Sequence, residues 1–503
     1  MTGHLARMTR PELEAYAAEL ERRLGGVAVA PRGAPLRRQR PPQREIDFRQ
    51  YGVRQIALKL SYEGWAFTSG FAAQPGDFAW RTSPHREPRF PSVESALFFA
   101  LERVRLVPPL EQALEPPPPP PSSSSSESAL AVSPNRAFSA EKYGEAWAHR
   151  GWRYSRGGRT DKGVSALGQV VSLQVRARDA DDSTTGDYDY ALLLNKVLPE
   201  SVRIYAWAPV PTDFSARFSA CSREYRYAVP AVFPATAVER MQEAAACMVG
   251  RHDFVNFCKY DAENTRGNTE RVVLACRVEP HGAAATWPRG LLSITVEAQA
   301  FLYHQVRCMV AVLLEVGRGT ETVDTVRQLL NADPHAAAVD RKPQYAWAPE
   351  TPLVLWDVRY GEREPPWRLH ANASSETESS RRSVRALRES TAQQWYAHAC
   401  RTAHSAALLE RALQATRAPT EADAQTLGIQ LHDYFPCMVP QSRHTPLMQR
   451  SVTGLNRQER QRKAQRLLQT APRSAGNGLA TATASPAERR SSSSSSSLPH
   501  TGA

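Results

Sequence analysis

Asp161 lies in the run Gly157-Gly158-Arg159-Thr160-Asp161-Lys162-Gly163-Val164-Ser165-Ala166, between two cations and inside glycine brackets. Four readings compete for a carboxylate so placed. An Asp in a glycine-bounded turn is often structural, its side chain bonding local backbone N–H groups. Gly158 and Gly163 have the outer spacing of a phosphate-cradling loop, but Val164-Ser165 stand where that loop needs Lys-Ser/Thr, so the Walker pattern fails. A glycosidase-like carboxylate pair needs a second acid, which the loop does not supply. The fourth reading is a lone nucleophilic carboxylate, held ionised by a neighbouring cation.

The elements that must position this loop are legible from periodicity. "RQIALKLSY" alternates Ile56, Leu58 and Leu60 against polar neighbours and predicts a half-buried strand. "PSVESALFFALERVRLV" places Val93, Leu97, Leu101 and Val104 on one helical face. Strands are expected at "GQVVSLQVRA", "VRIYAWAPV", "REYRYAV", "RVVLACRVEP", "LLSITVEAQ" and, last, "PLVLWDVRY". Helices are expected at "YALLLNKVL", "AVERMQEAAACMV" and "YHQVRCMVAVLLEVG", the third ended by Gly317. The two kinds interleave without βαβ regularity, which favours an α+β fold with antiparallel sheet.

Other stretches read as additions to that fold. Residues 1–50 predict a short helix with a Thr9/Glu12 capping box, then a basic Pro-rich linker. "PPPPPPSSSSSES" (Pro116 to Ser128) lies in an insertion of about residues 108–140 that composition marks as disordered. Residues 363–503 form a largely polar tail, partly helical and partly disordered, with the basic run "RQERQRKAQR" and a serine tract from Ser491. That basic run fits a solvated helix face, RNA contact or nuclear import.

The chain has 503 residues and a formal charge of +12, a balance that favours a polyanionic partner or an anionic membrane surface. No apolar run approaches the ~18 residues of a membrane span. The seven cysteines include no C-x-x-C pair, so neither a zinc site nor a disulfide framework is indicated. The Arg-rich N-terminus leaves an organelle leader open, mitochondrial targeting included, while Glu12, Glu14, Glu19 and Glu21 argue against one.

"GGRTDKGVSALGQVVSL" is similar to the signature of the TruA family of tRNA pseudouridine synthases. The Lys after the Asp and the Ser-Ala after Gly-Val resemble its eukaryotic branch, which modifies positions 38 and 39 of the anticodon stem-loop. Five more segments resemble the family in order: "ALKLSYEGWAFTSGFAAQ", "LLNKVLPESVRI", "DFSARFSACSREYRY", "GRHDFVNFCK" and "FLYHQVRCMVAVLLEVGRG". Together they cover about Arg54 to Tyr360, and "RHTPLMQR" near Arg443 resembles a tail segment of the same branch. The Pro/Ser insertion and the acidic "RDADDSTTGDYDY" fall between motifs.

The resemblance implies two RRM-like halves, about residues 51–212 and 213–362, whose antiparallel sheets meet at a central active-site cleft. It implies isomerisation of uridine to pseudouridine in tRNA, which needs no redox cofactor, metal or ATP. It casts Asp161 as nucleophile or proton acceptor at the ribose, by a covalent ester or a glycal route. Arg307 would pair with Asp161, Tyr225 would stack on the extruded uracil, and Arg159 would hold a phosphate or fill the vacated space. Lys162, Arg217 and Arg223 would contact phosphates. It also implies a homodimer; no membrane partner is expected, and the expected compartment is the nucleus, the cytoplasm or both. A tRNA-binding or chaperone protein of the same fold, without catalysis, is the rival reading. A nucleotide-binding hydrolase is a more distant one.

Overall fold

The computed structural model describes residues 46–74, 77, 78, 90–109, 142, 151–178, 188–230, 233–261, 265, 268–280, 291–331, 339–369, 381, 385–394, 396–398, 400, 401, 404 and 444–470. The expected N-terminal helix, the Pro/Ser insertion, most of the acidic insertion and the serine tract lie outside the described residues.

Strand β1 (Gly52–Tyr62) carries the Ile56-Leu58-Leu60 alternation, but Ala57 on its other face is equally buried. It is covered on both sides there because it is an interior strand, flanked by β3 (Ser165–Ala177) and β4 (Val202–Pro209). β3 is buried at every position but Leu167, and the two-residue β2 (Ser155–Arg156) pairs along it. The second half of the chain adds β5 (Ser222–Pro230), β6 (Gly250–Asp253), β7 (Glu270–Pro280), β8 (Leu291–Ala298) and β10 (Leu353–Arg359). Residues Arg368–Leu369, in the tail, contribute β11.

These strands form one sheet in the order β11-β4-β1-β3-β10-β5-β8-β7-β6. Every described pairing in it is antiparallel except one: β10 runs parallel to β3 through Val354/Ser165 and Leu355/Ala166. That short step joins the strands of residues 52–209 to those of residues 222–359. The expected α+β class therefore holds, with one large mixed sheet. A separate two-stranded sheet pairs β9 (Lys342–Pro343) with β12 (Val452–Thr453), and draws part of the tail onto the body.

Helix α1 (Val93–Arg103) starts at Ser92, whose side chain exchanges hydrogen bonds with Ser95 in a capping box. The short α2 (Tyr190–Asn195) leads into β4. In the second half, α3 (Ala235–Cys247) packs on β7 and on α4 (Gln305–Arg318), and α5 (Val323–Leu329) packs on α3. Met241, Ala244, Cys308, Met309, Leu313 and Val316 form this core, and Leu447 of the tail is buried in the same cluster. Gly317 does not end α4. It lies inside the helix, where a Cβ would come within 2.6 Å of Met241 Sδ, and the left-handed Gly319 (φ 76°) forms the cap. The basic run predicted in the tail is helical as α6 (Arg457–Thr470). The six described cysteines are unpaired.

Candidate active site

The Asp161 loop is held from below by the turn that follows β1. Gly64 and Gly70 press directly on its backbone: a Cβ at Gly64 would lie 2.2 Å from the Val164 carbonyl oxygen, and one at Gly70 would lie 2.4 Å from that of Thr160. Only residues without side chains allow this approach. Phe71 N–H donates to Thr160 O (3.1 Å), and Gly64 N–H donates to Ser165 Oγ (3.0 Å). The Thr160 hydroxyl shares a 2.8 Å hydrogen bond with buried Tyr62, and the fully buried Gln169 amide reaches Gly158 O (3.0 Å). Behind the turn, the buried Glu94 carboxylate accepts from Tyr154 (2.7 Å), from Arg156 and from Ala73 N–H (2.8 Å). Asp161 is thus the partly exposed tip of a rigidly backed loop.

The N-terminus of α4 faces that tip. His304 Nε2 lies 3.3 Å from Asp161 Oδ2, and Arg307 Nη1 lies 3.9 Å from the same oxygen. Arg307 is buried and more closely held elsewhere. Its Nε donates to Ala348 O (2.6 Å) and its Nη2 to Glu350 Oε2 (2.7 Å). Arg307 therefore bridges two carboxylates. His304 adopts φ 61°, a left-handed backbone unusual for a side chain of its size, and its ring lies against Tyr303 (3.9 Å) and Trp347 (4.6 Å).

Burial lifts the Asp161 carboxyl above the ordinary carboxylate value; Arg307 opposes the lift and Glu350 adds to it. Burial, reinforced by the charges of Arg307, Lys259 and Lys342, lowers His304 to about 4. At neutral pH the imidazole is uncharged, so its approach to Asp161 is a polar contact rather than an ion pair. Its other ring nitrogen, Nδ1, is buried without a hydrogen-bond partner.

Tyr225, on β5, is within electrostatic reach of Asp161 and packs edge-on against Phe301 (5.2 Å). Burial first, and the Asp161 charge second, push its phenol far above the ordinary tyrosine value. Arg159, Lys162 and Arg217 are exposed. Arg223 points inward instead: its guanidinium donates to the carbonyls of Gly157 (2.9 Å), Arg217 (2.7 Å) and Gln299 (2.8 Å). It ties β5 to the Asp161 loop, so its donors serve the backbone rather than a phosphate.

The geometry therefore brings Asp161, Arg307 and Tyr225 together, and leaves Arg159, Lys162 and Arg217 on the accessible surface. His304, Glu350, Tyr62 and Trp347 were not singled out from sequence, although His304 and Tyr62 stand within segments that carried the resemblance. Among the described residues, no group of three or more His, Cys, Asp or Glu side chains could hold a metal ion, and no helix is long and apolar enough to cross a membrane.

A mainly antiparallel sheet in an α+β fold presents Asp161 on a glycine-bounded loop, backed by an arginine that it shares with Glu350. Comparison with known proteins makes the class specific. The sequence model of a tRNA pseudouridine synthase family matches residues 244–361. The chain is 37% identical over 339 residues to the tRNA pseudouridine(38/39) synthase of Bos taurus, and 36% identical over 338 residues to that of Homo sapiens. Each match covers 63% of this chain and 58% of the relative. A tRNA pseudouridine synthase A of Methanoculleus marisnigri is 36% identical over 230 residues, which are 44% of this chain and 73% of the relative. The chain belongs to the tRNA pseudouridine synthase family. It spans 58% of the length of the mammalian relatives it matches.

Proposed function

We propose that this protein isomerises uridine to pseudouridine in tRNA, at positions 38 and 39 of the anticodon stem-loop, with Asp161 as the reacting carboxylate. The observation that carries the reading is the placement of Asp161, 3.9 Å from a buried arginine and within electrostatic reach of the half-buried Tyr225, in a chain whose relatives are named for this reaction.

The target nucleotide must leave the helical stack before any group can reach its glycosidic bond. Arg159, exposed two residues before Asp161, enters the vacated space or holds a flanking phosphate. Lys162 and Arg217, also exposed, contact phosphates that fix register without reading sequence. In a covalent route, an Asp161 oxygen bonds C1′ while the C1′–N1 bond breaks and its electron pair leaves with N1. The detached uracil turns, C5 bonds C1′, and the carboxylate leaves with its own pair. Loss of the C5 proton and gain of one at N1 complete the isomer. In a glycal route, Asp161 takes the C2′ proton as N1 leaves and returns it when C5 joins C1′. Both routes need Asp161 ionised, and the Arg307 charge is what favours that state against burial. Tyr225 remains a neutral phenol, which suits it to stack on uracil and donate a hydrogen bond rather than to act as a phenolate base.

The strand sets on either side of the β3/β10 step are read as two RRM-like halves, about residues 51–212 and 213–362, with the catalytic cleft where they meet. A second copy of the chain is the expected partner, and the nucleus or the cytoplasm the expected compartment. The test is to incubate an anticodon stem-loop carrying uridine at positions 38 and 39 with wild type and with Asp161→Asn, then map pseudouridine. Product with wild type alone is expected. Binding without product by wild type would favour an RNA-binding protein that has lost catalysis.

A further inference from the structure

The tail segment from Thr445 to Leu455, together with Lys463 of α6, forms one wall of a groove of about 1110 Å³. Its other wall is the stretch from Lys342 to Trp347 with Lys259 and Tyr260. We propose that this groove carries the phosphodiester backbone of the RNA strand flanking the target nucleotide, so that the tail is part of the substrate-binding surface. The proposal rests on the tRNA reading above and assigns a function to a segment which that reading leaves idle.

Three observations carry it. The groove's charge is of one sign: Lys259, Lys342, Arg450 and Lys463 line it and, among the described residues, no Asp or Glu does; Lys342 and Arg450 bond the carbonyls of Cys258, Thr445 and Gln344 and so supply field rather than direct phosphate contacts. Such a channel concentrates an anionic chain along its length. The groove also adjoins the candidate active site. Trp347 lines it while its ring lies 4.6 Å from that of His304, and Lys259, whose backbone N–H donates to Tyr303 O (2.9 Å), bears electrostatically on Asp161. A strand leaving the Asp161 loop would thus have the groove as its neighbouring surface. Finally, the wall is built rather than draped. Leu447 is buried in the core, its N–H donating to Glu321 Oε1 (2.6 Å), while His444 reaches the same carboxylate (3.0 Å). β12 pairs with β9, and Arg460 is buried, donating to Asp340 O (2.9 Å). Trp347, 40% exposed, adds an aromatic surface of the kind on which unpaired bases stack.

The test uses the full chain. Gln449→Glu combined with Lys463→Gln changes the groove by two charges at exposed positions outside the catalytic set. Arg103→Glu, exposed on α1, makes the same charge change elsewhere. Affinity for a whole tRNA is measured across salt concentrations, with the single-turnover rate of pseudouridine formation at saturating RNA and a thermal midpoint for each variant. The groove variant should bind about tenfold more weakly at ~50 mM salt, with a salt dependence shallower by about one for each phosphate that the groove no longer neutralises. Its saturated rate and thermal midpoint should match wild type, and Arg103→Glu should bind nearly as wild type does. Equal affinity of the groove variant and wild type, or an equal loss in Arg103→Glu, would overturn the groove while leaving the catalytic reading intact. A wild type that neither binds nor modifies tRNA would overturn both.

Discussion

His304 Nε2 lies 3.3 Å from Asp161 Oδ2, on an imidazole that its surroundings keep uncharged at neutral pH. The contact gives the carboxylate a polar neighbour without a second cation. How readily Asp161 ionises is then set by Arg307, with Lys259 acting in the same direction and burial and Glu350 against them.

Asp161→Asn keeps the shape of the loop tip and removes the charge. Product formation should fall by about 10⁴-fold or more, while affinity for an anticodon stem-loop stays near wild type. Single-turnover assays beside binding isotherms check both halves, and normal turnover would end the assignment.

Arg307 and Glu350 act on Asp161 with opposite sign, so their variants should move the pH–rate profile in opposite directions. On the proposed reading Asp161 acts when ionised, and its folded pKa sets the acid limb. Arg307→Met removes the group that lowers that pKa, so the limb should move up by about one to three units and activity should recover towards alkaline pH. Arg307→Lys keeps the charge without the planar fork and should be milder. Glu350→Gln removes a group that raises the pKa and frees Arg307 for Asp161, so the limb should move down. A wild-type profile in folded Arg307→Met would mean that the guanidinium serves Glu350 and Ala348 alone.

His304 also marks stability. Its folded pKa is lowered to about 4, below the ~6.5 of an unfolded chain. Between those values the unfolded state binds the proton that the folded state refuses, so wild-type stability should fall as pH drops from neutrality towards 4. His304→Gln should flatten that dependence. Urea midpoints for both proteins at pH 7 and pH 5 test this, and parallel declines would refute it.

Gly64→Ala places a methyl against the Val164 carbonyl oxygen, a backbone atom that cannot turn aside. The loop must move, at a cost of about 1–3 kcal/mol in stability. Turnover should fall more than RNA affinity, because Asp161 is displaced while the exposed cations are not. Unfolding curves and kcat report the two effects separately.

The readable parts of the site were those in contiguous pattern. The Asp161 loop stands in one ten-residue run, and Arg307 interrupts an apolar helix face where a cation needs a partner. Glu350 gave no signal because it sits in irregular chain between β9 and β10 and meets Arg307 only through the fold. His304 was hidden by the opposite problem: it reads as part of the first turn of a helix, whereas it precedes the helix with a left-handed backbone and lies against Asp161. The same helix explains the misplaced cap, since Gly317 and Gly319 look alike until Met241 is seen filling the space beside Gly317. The longer strands were legible as apolar or alternating runs, but β2, β6, β9, β11 and β12 are pairings of two to four residues, too short for any periodicity.

The parallel step between β3 and β10 bears on when this protein becomes competent during synthesis. Ser165 and Ala166 emerge from the ribosome long before Val354 and Leu355, and a parallel neighbour cannot be supplied by a local hairpin. Arg307 and Glu350 also arrive late. The Asp161 loop therefore emerges with its supports from the turn after β1 already made but with Arg307, Glu350 and β10 still to come, and closure of that long chain segment is the slow, non-local event of assembly. Nascent chains arrested before Leu353 should be cut by protease near Asp161 at sites that the finished chain protects.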